Sequence, residues 1–174
     1  MSRHLVLGGA RSGKSRYAQD MASTAPDVSM IVTAEAWDDE MRARIALHRQ
    51  SRPAHWRTIE APLALAAAID SACRPNACVL LDCITLWLSN VMCGAPDTLE
   101  RACDELVDAV ARAPGELIIV ANEVGWSIVP ENALARQFRD EAGRLNQRLA
   151  AVCEAVTLVV AGLPMPLKPG HAMR

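Results

Sequence analysis

Gly8-Gly9-Ala10-Arg11-Ser12-Gly13-Lys14-Ser15 is the stretch that decides the fold. It satisfies G-x-x-x-x-G-K-[ST], a pattern whose glycines let backbone N–H groups turn inward onto phosphate oxygens. The pattern carries meaning only between a buried strand and a helix. Here an apolar run, His4 to Leu7, precedes it and a helical stretch from Ser15 to about Ala22 follows. All eight residues are therefore predicted to hold nucleoside triphosphate phosphates. Lys14 reaches the β and γ phosphates as the catalytic cation, and Ser15 ligates Mg²⁺.

Outward from this loop, short apolar runs recur at Met30 to Thr33, Cys78 to Leu81, Leu117 to Ala121 and Thr157 to Ala161. Each is β-branched or Leu-rich and too short for a buried helix, so with the first run they predict five parallel strands. The stretches between them read as crossover helices: Asp38 to about Gln50, Leu63 to Ile69 after Pro62, and a helix opened by an Asp97/Glu100 capping box and closed before Pro114-Gly115. The longest predicted helix runs from Asn132 to Cys153. Leu134, Phe138, Ala142, Leu145, Leu149 and Val152 recur along it at three and four and form its buried face. The expected architecture is α/β, a mostly parallel sheet flanked by helices. It forms one domain over residues 1–168, with the Pro-rich end from Leu163 onward loosely held and a tail at 169–174.

Composition narrows the function. The chain has 174 residues, 51% apolar and 22% charged, with a formal charge of −2, which is enough chain for a core without disulfides. Near-neutral charge removes the electrostatic footprint of a nucleic-acid coat. With one Phe, one Tyr and four Trp, stacking on single strands is disfavoured as well. No apolar run reaches the ~20 residues of a membrane span, and the amino terminus lacks secretory-signal character, so a cytoplasmic location is expected. Six cysteines stand without a C-x-x-C pair and read as reduced, mostly buried thiols.

A second Mg²⁺ group belongs at the end of a buried strand, and Asp82 closes Cys78-Val79-Leu80-Leu81-Asp82. The same acid could instead cap the helical segment that begins near Thr85. Glu123 ends the next strand and could orient water, metal or a substrate hydroxyl, or be an ordinary strand-end acid. The guanine-reading N-K-x-D element is absent, because Asn122 is followed by Glu123-Val124-Gly125.

His48 follows Arg44 by four residues and precedes Arg49 and Arg52. Nearby guanidinium groups favour a neutral imidazole and would hold a polyphosphate against it. Such a histidine can attack an α-phosphorus and form a phosphoramidate that passes a nucleotidyl group onward. On composition alone, a lone helix histidine is more often a surface or satisfied residue. His55, next to Trp56, reads as a packing residue.

Six segments together carry a family resemblance: G-G-A-R-S-G-K-S at 8–15, D-D-E-M at 38–41, R-I-x-x-H at 44–48, R-P-A-H-W-R-T at 52–58, N-E-V-G at 122–125 and I-V-P-E-N at 128–132. From Met1 to Lys168 the chain resembles the bifunctional adenosylcobinamide kinase / adenosylcobinamide-phosphate guanylyltransferase family of cobalamin biosynthesis. That resemblance implies a RecA-like P-loop NTPase fold and a homotrimer. It also implies phosphorylation of adenosylcobinamide with ATP or GTP, then transfer of GMP from GTP to give adenosylcobinamide-GDP. It assigns His48 to the guanylylated position, and places Thr33, Ala34, Arg49, Gln50, Ser51, Arg52, Glu60 and Asp82 near bound nucleotide. A small-molecule P-loop kinase without nucleotidyl transfer is the competing enzyme reading; a nucleotide-switched binding module is the non-enzyme one.

Overall fold

The computed structural model describes residues 2–34 and 53–168. The predicted helix Asp38 to Gln50, and with it His48, Arg49, Gln50, Ser51 and Arg52, lies outside the described residues.

The elements run β1 (Ser2–Gly8), α1 (Lys14–Ala22), β2 (Val28–Val32), β3 (Arg57–Glu60), α2 (Leu65–Ala72), β4 (Cys78–Asp82), α3 (Ile84–Gly94), α4 (Leu99–Arg112), β5 (Glu116–Asn122), α5 (Ala133–Val152), β6 (Ala155–Val160) and β7 (Leu163–Lys168). They build one seven-stranded sheet in the order β3-β2-β4-β5-β1-β6-β7. The pairs from β3 to β6 are parallel, and β7 joins β6 antiparallel.

Strand side chains alternate between two cores, as period-2 geometry requires. Leu5, Ile31, Val79, Leu81, Leu117 and Ile119 face α2, α3, α4 and α5. Val6, Met30, Leu80, Ile118 and Val120 face the other way, where α1 packs through Ala18 and Ala22 and Trp56 fills the same cluster. Both faces are covered, which is why these strands read as continuous apolar runs.

The five predicted strands are present, and two edge strands were not foreseen. β3 is Arg57-Thr58-Ile59-Glu60, polar because it pairs on one side with β2 and stands largely exposed. β7 overturns the expectation of a loosely held segment from Leu163. It pairs with β6 from Leu163 to Lys168 despite Pro164 and Pro166, which an edge strand tolerates because its outer N–H groups have no ladder to serve. Ala161 and Gly162, both at positive φ, make the two-residue turn between them. Lys168 fastens the far end, its Nζ donating to the carbonyls of Ala150 at 3.1 Å and Cys153 at 2.5 Å at the close of α5.

Two helix expectations also change. The Asp97/Glu100 box does not form: Pro96–Thr98 is a 3₁₀ turn, and Thr98, without a side-chain cap, precedes α4. Leu134 is exposed rather than on the buried face of α5, whose buried residues begin only at Ala142. The predicted start of α5 is matched by Asn132, whose side chain accepts from the Ala135 N–H at 3.1 Å.

Candidate active site at the carboxyl edge of the sheet

The loop between β1 and α1 folds as its sequence demands. Gly13 sits at φ 94° and Arg11 at φ 55°, so the backbone turns twice through the left-handed region before the helix begins. A Cβ on Gly8 would lie 2.7 Å from the Val159 carbonyl oxygen and 2.4 Å from Ser12 Oγ, so only glycine lets the loop lie this close to β6. The β6–β7 turn holds it from outside: the Gly162 N–H donates to the Ser12 carbonyl at 2.8 Å.

Lys14 is buried and its Nζ donates to the Gly9 carbonyl at 3.1 Å, within the loop itself. No acid stands in the first turn of α1, and Gly13 provides no side-chain cap. The first-turn N–H groups and the helix dipole therefore favour an anion there. Ser12 Oγ is buried with no hydrogen-bond partner among the described residues. A buried donor of this kind inside a loop of inward N–H groups fits a phosphate oxygen.

The strand order puts β5 between β1 and β4, so Asp82 is two strand spacings, roughly 10 Å, from the strand that feeds the loop. Cys83, not Asp82, takes the N-cap position of α3, which leaves the Asp82 carboxylate at the strand end. Burial, with the Asp82 charge adding to it and Lys14 opposing, pushes the Cys83 thiol up to about 12, so both ionic groups lie within electrostatic reach of one buried sulfur. Cys73, Cys78, Cys103 and Cys153 are likewise raised by burial, whereas Cys93 is exposed. These raised thiols are inert at neutral pH.

Ser15 and Asp82 offer one hydroxyl and one carboxylate. Hard oxygen donors in that number suit Mg²⁺, which takes one or two protein oxygens and completes its shell with phosphate and water. No cluster of three His, Cys, Asp or Glu side chains that could hold a metal occurs among the described residues.

Buried polar side chains brace the strand ends, and sequence reasoning missed most of them. Thr33 Oγ1 donates to the Cys83 carbonyl at 2.7 Å and accepts from its N–H at 3.2 Å. Asn90 donates to the carbonyls of Thr33 at 2.8 Å and Pro62 at 3.1 Å. Thr85 accepts from the Asn122 N–H at 2.6 Å, and Asn146 donates to the Asn122 carbonyl at 3.2 Å. The readable signal was a polar residue on an otherwise apolar helix face, as with Asn146 between Leu145 and Leu149. Glu123 is tied into the edge as well: its N–H donates to the Gly8 carbonyl at 3.1 Å and its carboxylate accepts from the Gly125 N–H at 2.7 Å.

Thus Gly8 to Ser15, Thr33, Ala34, Glu60, Asp82 and Glu123 all stand at the carboxyl ends of parallel strands or in the turns leaving them, where open α/β sheets bind ligands. They do not stand together. Glu60 closes β3, four strand spacings or roughly 19 Å from β1, while Thr33 is fully buried with its hydroxyl spent on Cys83. His55 is exposed and Trp56, next to it, is buried.

A family model described as cobinamide kinase / cobinamide phosphate guanyltransferase matches residues 4–167. The bifunctional adenosylcobalamin biosynthesis protein CobP of Pseudomonas aeruginosa is 52% identical over 168 residues, covering 95% of this chain and 97% of that protein. Its counterpart CobU of Salmonella typhimurium is 47% identical over 178 residues, covering 94% and 98%. Among solved structures, an ATPase from the type III secretion system of pathogenic bacteria superposes with a TM-score of 0.54 at 11% identity, over 95% of this chain and 56% of that one. The Pyrococcus horikoshii protein PH0250 does so with 0.55 at 8%, over 96% and 86%. Such distant likeness shows the fold alone, a mostly parallel sheet flanked by helices. On the match along nearly its whole length, the chain belongs to the cobinamide kinase / cobinamide phosphate guanyltransferase family.

Proposed function

We propose that this protein phosphorylates adenosylcobinamide with ATP or GTP and then transfers GMP from GTP to the new phosphate, giving adenosylcobinamide-GDP in cobalamin biosynthesis. The observation that carries the reading is the phosphate loop Gly8 to Ser15, faced by Asp82 at the same sheet edge, in a chain that matches the family over residues 4–167.

In the kinase step the N–H groups of the loop and the start of α1 hold the phosphates in line with the acceptor hydroxyl. Lys14 offsets charge on the transferring group. Ser15 and Asp82 would hold Mg²⁺, which neutralises phosphate charge when bound. Thr33, Thr85, Asn90 and Asn146 contribute by fixing the strand ends.

In the guanylyl step His48 attacks the α-phosphorus of GTP. A P–N bond forms as the bond to pyrophosphate breaks, and the cobinamide phosphate oxygen then displaces the imidazole. Arg49, Gln50, Ser51 and Arg52 lie next to His48 in sequence and supply charge and hydrogen bonds to the polyphosphate, with Thr33, Ala34 and Glu60 nearby on the nucleotide. The reading includes a homotrimer in the cytoplasm, as the family resemblance implies. No helix among the described residues is long and apolar enough to cross a membrane.

The test is to incubate the purified protein with adenosylcobinamide, Mg²⁺ and γ-labelled ATP, then with GTP, and separate the corrinoids by mass. Label should enter a cobinamide phosphate first and a GDP conjugate should follow. Failure to phosphorylate cobinamide with either nucleotide overturns the reading.

A further inference from the structure

The loop that leaves β5 presents apolar side chains to solvent in a way a soluble surface does not need. Trp126 is 76% exposed, Ile128 94% and Val129 60%, and Leu134, at the start of α5, is 55% exposed. Scattered apolar residues are ordinary on a surface, but three exposed within four residues of one loop, a tryptophan among them, mark a binding site. The loop is also held at both ends. Glu123 accepts from the Gly125 N–H at 2.7 Å in front, while behind Arg136 donates to the carbonyls of Pro130 at 2.9 Å and Glu131 at 2.5 Å. A display pinned in this manner loses little conformational entropy when something docks on it.

Its position names the occupant. β5 lies between β1, which feeds the phosphate loop, and β4, which carries Asp82. The Glu123 N–H is bonded to the Gly8 carbonyl at 3.1 Å, so the loop starts where the phosphate loop starts. A group docked on it reaches the sheet edge between Lys14 and Asp82, the side from which an acceptor hydroxyl must approach a terminal phosphate.

We propose that Trp126, Ile128 and Val129 form the docking face for the corrin ring of the acceptor, apolar ring face against the indole. This rests on the function proposed above. A cobinamide is a wide, flat macrocycle edged by methyl groups and neutral amides, and Val124 to Pro130 contains no charged residue. Positions 126 to 129 span up to ~10 Å of chain, the width of such a ring rather than of one nucleobase.

The experiment uses the full chain and the variants Trp126→Ala, Trp126→Phe and Ile128→Ser, with Leu167→Ser on β7 as a remote control. Each is checked by circular dichroism and size-exclusion chromatography. Cobinamide binding is measured by equilibrium dialysis, and kinase kinetics are measured with cobinamide and ATP varied separately. Trp126→Ala and Ile128→Ser should each weaken cobinamide binding and raise its KM by about tenfold. KM for ATP should stay within about twofold, with Trp126→Phe nearer wild type and Leu167→Ser unchanged. Unaltered cobinamide binding in the folded variants overturns the proposal, as does a rise confined to the KM for ATP. A changed oligomeric state in Trp126→Ala overturns it too, because a second copy would then be what covers the patch. Dialysis separates this proposal from the function it rests on: wild-type turnover with unaltered variants sinks the docking face alone, binding lost in the variants without wild-type turnover sinks the kinase reading alone, and a wild type that does not bind cobinamide sinks both.

Discussion

Thr33 and Cys83 are bonded in both directions across neighbouring strands: the threonine hydroxyl donates to the Cys83 carbonyl at 2.7 Å and accepts from the Cys83 N–H at 3.2 Å. Thr33 follows β2 directly and Cys83 follows Asp82, so this pair sets where the Asp82 backbone ends. The Cys83 carbonyl keeps a second donor, the Trp87 N–H at 3.3 Å. The N–H depends on the threonine hydroxyl.

Thr33→Val keeps the shape and removes that acceptor, leaving a buried N–H without a partner at a cost of about 2 kcal/mol. In a chain of this length the melting temperature should fall by roughly 4–8 °C. Thr33→Ser should recover most of the loss. Thermal denaturation of the three proteins decides it, and a Thr33→Val melt that coincides with wild type would show that the brace contributes nothing.

Asp82→Asn should lower kinase activity by about a hundredfold or more and shift the Mg²⁺ requirement upward, because the amide matches the carboxylate in shape but lacks its charge. For the alternative role, capping the following helix, asparagine would serve about as well as aspartate, and the residue at the N-cap position is Cys83. Titrating Mg²⁺ in both proteins checks this. An unchanged half-saturating concentration in the variant would remove Asp82 from the metal site.

The reach of sequence reasoning differed from element to element for physical reasons. The phosphate loop and the five buried strands were legible because each is a local pattern: glycines and a lysine at fixed offsets, or a short run buried on both faces. β3 and β7 were not, because an edge strand needs no continuous apolar run, and prolines at 164 and 166 argue against a strand unless its outer edge is known to be unpaired. The braces were hidden for a different reason. Thr33 meets Cys83 from 50 residues away, Asn90 meets Thr33 from 57 and Thr85 meets Asn122 from 37, distances over which no motif operates. Leu134 fits the helical period but stands exposed in the first turn of a helix whose burial begins at Ala142, and periodicity gives the face of a helix without telling where along it the packing starts.

Glu154 and Arg3 join the start of β6 to β1 and make stability depend on acid. The Arg3 side chain bonds the carboxylate with Nε at 3.0 Å, the Arg3 N–H adds a bond at 2.7 Å, and together they hold the Glu154 carboxyl down at about 2 from an ordinary 4.5. A depressed carboxylate contributes stability above its unfolded value and loses it as pH falls through the folded one, here between about 4.5 and 2. With the glutamate side chain 38% exposed, solvent screening limits the contribution to about 1 kcal/mol. Glu154→Gln should therefore be less stable than wild type at neutral pH, and the gap should close as pH falls through that window. Denaturant midpoints across the range measure it, and a gap that does not change with pH would refute the linkage.

His48 provides the sharpest test of the two-step chemistry, because it separates guanylyl transfer from phosphoryl transfer within one protein. With GTP and Mg²⁺ but no acceptor, its imidazole should become covalently linked to GMP. The bond should survive alkali and break in acid, since protonating a phosphoramidate nitrogen makes it a good leaving group. His48→Ala should lose both the label and the guanylyl step yet keep kinase activity, since the γ-phosphoryl group is positioned and neutralised by Lys14 and the loop without help from a nucleophilic side chain. His48→Asn should behave as His48→Ala does, because an amide can hydrogen-bond phosphate but cannot displace pyrophosphate. Peptide mapping after treatment with α-labelled GTP locates the adduct. Label on Lys14 or His55, or guanylyl transfer intact in His48→Ala, would overturn the histidine mechanism and leave the phosphate loop's role in the kinase step standing.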